Sequence, residues 1–231
     1  MPEVGEIDSR RFIVAKYSTT RIDRGAAMRW IPAVAGGWVL AWFAGLWIGG
    51  ISYAVNPFVL FLLSLDSPGA TDAAVAAAGA TSGLIGGLCG GVVAGVGQVA
   101  ALARSHRRRP ELWGACTAAA FAAVLSLTWA RTWPAPYSTD GAGIVIAATV
   151  GGLIAFGQGL AVRLPFSSAI IWALVSTVAW FACLATTLLP NVAFMVPELL
   201  GGVALGGLTL LGLAAMLLQE LRQARNGDTF P

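Results

Sequence analysis

The chain has 231 residues, of which 57% are hydrophobic and a further 29 are Gly, while 14 Lys and Arg against 11 Asp and Glu leave a formal net charge of +3. Soluble domains carry about 25% charged residues. At 11%, with a mean hydropathy of +0.77, this chain has too little charge to clothe a water-soluble globule, which excludes soluble enzymes, nucleic-acid binders and disordered chains.

Residues 1–27 read as a basic cytoplasmic arm without the apolar core of a cleavable leader. A spanning helix needs about 20 apolar residues, and six segments meet that length: 28–51, 80–103, 112–130, 142–162, 167–189 and 197–218. Pro32 is expected in the opening turn of the first, where its missing N–H costs nothing. Between the first two, Pro57–Leu65 is apolar but too short to cross, and reads as an interfacial or re-entrant piece. Residues 223–231 form a short tail.

Counting Lys and Arg between spans places thirteen on one side, including Arg104, Arg107, Arg108, Arg109 and Arg163, and only Arg131 on the other. The positive-inside rule then puts both termini in the cytoplasm, and Arg104, Arg107, Arg108 and Arg109 are candidates to contact anionic lipid headgroups.

Self-comparison is more informative. GVVAGVGQ ending at Gln98 recurs as GGLIAFGQ ending at Gln158, each followed by an arginine (Arg104, Arg163) and then a tryptophan (Trp113, Trp172) nine residues later. The second and third spans therefore repeat as the fourth and fifth. AWFAGL at 41–46 returns as AWFACL at 179–184, which marks the first span as a copy of the third and fifth. GGVALGGL ending at Leu208 makes the sixth span a copy of the second and fourth, with Leu in place of Gln. Spans six and one would then form a third hairpin across the termini. The expected fold is an all-α integral membrane protein of repeated helical hairpins, closed as a pseudo-threefold bundle about the membrane normal. Gly, then Gln, then Arg, then Trp across a short cytoplasmic turn resembles uncharacterised bacterial multi-pass membrane proteins. That resemblance implies the bacterial cytoplasmic (inner) membrane and no activity.

Few residues here support chemistry. Intramembrane charge marks transport and proton relay, and the spans hold none at their centres. The single Lys16 and single His106 lie outside the spans, which argues against a retinal Schiff base and against axial haem ligation. Cys89, Cys116 and Cys183 are isolated, without CxxC or Cys/His spacing, so neither disulfides nor zinc are suggested. No catalytic constellation, metal site or cofactor is expected, and the chain is read as a non-enzyme; bound lipids are. Glu198, following Pro197, fits the first turn of the last span, where the helix dipole favours it, or contacts a substrate or ion. Gln98 and Gln158 read as interhelical hydrogen-bonding residues or as substrate contacts. Gly83, Gly87, Gly91 and Gly95, with Gly202 and Gly206, form small-residue faces for packing within the bundle or against a partner. Trp30, Trp113, Trp172, Trp129, Trp133 and Tyr137 read as interfacial belts.

Two functions remain. A non-catalytic subunit packing in or scaffolding a larger membrane complex, with the bilayer and other membrane subunits as partners and no nucleic acid, accounts for the small-residue faces. The alternative is a small transporter or channel for a neutral or apolar solute, with the glutamines facing its path.

Overall fold

The computed structural model describes residues 24–65, 67–102, 110–132, 141–188 and 196–225. The basic arm up to residue 23, Arg104, Arg107, Arg108, Arg109, Trp133, Tyr137 and the tail from residue 226 lie outside them. Among the described residues the chain is helical: α1 (Arg24–Val55), α2 (Pro57–Leu63), α3 (Pro68–Leu102), α4 (Pro110–Thr132), α5 (Gly141–Ala161), α6 (Phe166–Ala185), a 3₁₀ turn (Thr186–Leu188) and α7 (Val196–Arg225). Six of these, all but α2, are long and apolar enough to cross a membrane, as a multi-pass membrane protein requires.

Helix ends differ from the sequence expectation, α7 running to Arg225 rather than residue 218 and α1 to Val55 rather than 51. Helix α3 begins at Pro68 rather than residue 80, because the alanine-rich TDAAVAAAGA is a strong helix former and Ala74 and Ala78 have Val59 of α2 to pack against. Helix α1 begins at Arg24, so Pro32 falls inside it rather than in its opening turn; a neighbour-packed membrane helix tolerates this. Helix α2 is a single short segment capped by Asn56, whose Oδ1 accepts from the Phe58 and Val59 amides at 3.0 and 3.4 Å.

The packing order follows the chain and closes on itself: α1 meets α3, α3 meets α4, α4 meets α5, α5 meets α6, α6 meets α7, and α7 returns to α1. Glycine sets the closest approaches. On one side of α3, Gly83, Gly87, Gly91 and Gly95 lie against the α4 backbone at Leu125, Ala122, Ala118 and Gly114. On the adjoining side, Gly86 and Gly90 lie against Ala41 and Gly37 of α1. A Cβ at most of these positions would meet a neighbouring backbone atom inside 3 Å. Gly202 and Gly206 of α7 lie against Ala35 and Ile31 of α1, so the same device seals the ring between the chain's first and last helices.

The α5–α6 turn is tight. Leu164 N donates to Gly159 O and Arg163 N to Leu160 O, both at 2.9 Å, a Schellman closure. Its left-handed position, where Gly is usual, is held by Arg163 at φ 60°.

Candidate functional site

The core of the ring is two aromatic layers contributed by α1, α4 and α6. The first holds Trp30, Trp113 and Trp172, all buried, with ring centroids 6.4 Å apart for Trp30–Trp113 and 4.9 Å for Trp113–Trp172. These tryptophans, and buried Trp129, are therefore not interfacial belts: the three first-layer indoles find acceptors inside the bundle and Trp129 packs its ring on Trp42.

The acceptors come from α3, α5 and α7. Trp113 Nε1 donates to Gln98 Oε1 at 3.0 Å, Trp172 Nε1 to Gln158 Oε1 at 2.8 Å, and Trp30 Nε1 to Thr209 Oγ1 at 3.1 Å. Thr209, which sequence comparison passes over, stands one residue beyond Leu208 and takes the role of the absent glutamine. Thr117 links two of these units: its hydroxyl donates to Gln98 Oε1 at 2.7 Å, while Gln158 Nε2 donates to Thr117 Oγ1 at 3.2 Å and to the Trp113 carbonyl at 2.8 Å. Both glutamines are 4% exposed, and their carbonyl oxygens serve protein donors.

Eight residues along each of the same helices, about 12 Å at 1.5 Å per residue, lies the second layer. Trp38, Phe121 and Trp180 meet edge to face in a closed triangle, with centroids 6.1 Å (Trp38–Phe121), 5.9 Å (Trp38–Trp180) and 5.0 Å (Phe121–Trp180) apart. Here the opposing helices offer glycine instead of an acceptor: Gly91 faces Ala118 and Phe121, Gly151 faces Trp180, and Gly201 faces Trp38. The register also corrects the AWFAGL/AWFACL alignment. Trp38, not Trp42, meets Trp180; Trp42 lies one turn further on, stacked edge-on against Trp129 at 5.1 Å.

Between the layers is a cavity of about 30 Å³, whose polar lining is Gln98, Thr117, Gln158, Ser176 and Thr209. The buried Ser176 Oγ has no hydrogen-bond partner among the described residues.

Glu198 sits in the first turn of α7, away from this cavity. It is 4% exposed, and neither carboxylate oxygen has a hydrogen-bond partner among the described residues. No group of three His, Cys, Asp or Glu is placed to hold a metal among the described residues. The site is an apolar, aromatic plug with one small polar node. The sequence signal for it, which self-comparison passes over, is the spacing of eight between aromatics in α1, α4 and α6.

Compared with protein-family models, with curated proteins and with solved structures, the chain matches none.

Proposed function

We propose that the chain is a non-catalytic integral membrane subunit that packs in or scaffolds a larger membrane complex in a bacterial cytoplasmic membrane, both termini facing the cytoplasm. The observation that carries this reading is the filling of the axis. Two aromatic layers occupy it, the glutamines that would face a solute are engaged by Trp113, Thr117 and Trp172, and the polar space between the layers is about 30 Å³, against roughly 300–1,000 Å³ for ligand pockets. A transporter would need both layers to part.

A second feature supports a partner. Gly201 lies beside Trp38 and α7 begins five residues before it, so α1, running to Val55, continues about 12 residues, roughly 18 Å, past the start of α7. This projection, with α2 at its tip, bears exposed Trp47, Ile51, Val55, Phe58, Phe61 and Leu65. Apolar surface beyond the level of α7, on the side of α1 away from α3, suits a helix of another membrane subunit.

The proposal includes the pseudo-threefold repeat. In three helix pairs (α3–α4, α5–α6 and α7–α1), an indole of the first layer donates to the opposing helix and a glycine of that helix receives the second-layer ring. Arg104, Arg107, Arg108 and Arg109, on the cytoplasmic side in this reading, draw anionic headgroups at about 1 kcal/mol each, and lipids cover the exposed apolar faces.

The test is gentle native extraction followed by mass determination. Stoichiometric co-purification with other membrane subunits, reduced by Trp47→Glu or Phe61→Glu, is the expected result. A monodisperse particle of this chain alone, together with solute flux in reconstituted vesicles, would overturn the reading in favour of a transporter.

A further inference from the structure

The node between the two layers is built almost symmetrically, and where it departs from symmetry a hydrogen bond is missing. Val34, Thr117 and Ser176 each stand four residues after their helix's first-layer tryptophan. Thr117 is the complete case: it joins Gln98 of its own helix pair to Gln158 of the next. Val34 has no polar atom to offer. Ser176 stands between Gln158 of its own pair and Thr209 of the next, yet its hydroxyl, buried at 3% exposure, meets no partner.

Both groups that should reach each other there are short. Serine lacks the methyl that steers Thr117, and threonine at 209 replaces a side chain two bonds longer. Thr209 Oγ1 spends its proton on the Leu205 carbonyl at 2.7 Å and accepts from Trp30. That leaves it one lone pair, and Gln158 Oε1, which accepts from Trp172, keeps another. A polar cavity holds water when it offers at least about 10–15 Å³ and two to four hydrogen-bond partners. This one offers about 30 Å³ and three such partners.

We propose that the cavity is a binding site for one or two water molecules, held by Ser176 Oγ and bridging it toward Gln158 and Thr209. The water completes, on the α6 side, the hydrogen-bonded link that Thr117 makes directly on the α4 side. It lies between Trp172 and Trp180, which line the cavity. This inference rests on the unpartnered hydroxyl and the cavity, and stands whether or not the chain has a partner subunit.

The full chain in detergent or nanodiscs, imaged at a resolution that reveals buried waters, is expected to carry solvent density about 2.6–3.2 Å from Ser176 Oγ. That density should vanish in Ser176→Val, which fills the space. An empty cavity in a map that displays buried water elsewhere overturns the proposal, as does elongated density from a lipid chain. Hydroxyl-radical footprinting in membranes gives a second readout using the space-filling Ser176→Val. Bound water should direct oxidation to Trp172 and Trp180 in the unaltered chain, with loss of that labelling to the level of buried Trp129 in the variant. Labelling that is absent from the unaltered chain, or unchanged in Ser176→Val, contradicts it.

Discussion

The two aromatic layers sit on the same three helices, eight residues apart, and solve opposite problems. In the first, three indoles bring N–H groups into the interior, and α3, α5 and α7 answer with Gln98, Gln158 and Thr209. In the second, the rings close on one another edge to face, and the same three helices answer with glycine so that the rings can approach. Without water to drive apolar groups together in a bilayer, association rests on close packing and interhelical hydrogen bonds. The first layer supplies the bonds and fixes which residues face each other; the second supplies contact area. Trp38 Nε1, with no partner among the described residues, marks where area has been taken in preference to hydrogen bonding.

This difference ranks the expected effects of substitution. Removing bulk from the second layer should matter most: Trp180→Ala takes away two edge-to-face contacts and opens a cavity, at about 3–5 kcal/mol, read as thermal or steric-trap unfolding in bicelles. Gly151→Leu drives a side chain into Trp180 and should lose about 3 kcal/mol by overpacking; a small effect would mean the ring can move aside. In the first layer Gln158→Leu should cost about 1–3 kcal/mol, since it strands the Trp172 indole and removes the donor shared by Thr117 Oγ1 and the Trp113 carbonyl. Gln98→Leu strands the Trp113 indole alone among N–H donors and is expected below it. Thr209→Val removes the acceptor of Trp30 in near-constant volume and should cost about 1 kcal/mol; if it costs nothing, Thr209 is not the stand-in for the missing glutamine. Outside both layers, Arg163→Gly relieves a left-handed non-glycine residue and should gain about 1 kcal/mol, a control whose sign is opposite to all the others.

Sequence made the six spans legible because hydropathy reports on the solvent around a helix, and a bilayer demands one long apolar run per crossing. The α1 and α3 extensions go beyond the roughly 20 residues that one crossing requires, and ATDAAVAAA adds its turns to α3 through propensity and packing. Gln98 with Trp113 and Gln158 with Trp172 are visible as an ordered repeat, each set within 15 residues of sequence, but not as bonded pairs. The third member of the repeat is not visible, because Thr209 bonds to Trp30 across 179 residues and sits one position out of register. Inward-facing tryptophans were mistaken for belts because composition at a helix end says nothing of which way the side chain points. The AWFAGL likeness misled by one turn, since in α1 two tryptophans four residues apart, Trp38 and Trp42, both fit it.

Everything depends on the ring closing between the first and last helices, where Gly202 of α7 meets Ala35 of α1. The most direct measurement is oxidative cross-linking in native membranes of a chain with its three cysteines replaced and Ala35→Cys paired with Gly202→Cys. Rapid intramolecular disulfide formation, absent from either single variant, is the predicted result. Failure to cross-link in protein that inserts and folds would mean that α7 does not seal against α1, and that the axis is open where the account requires it to be filled.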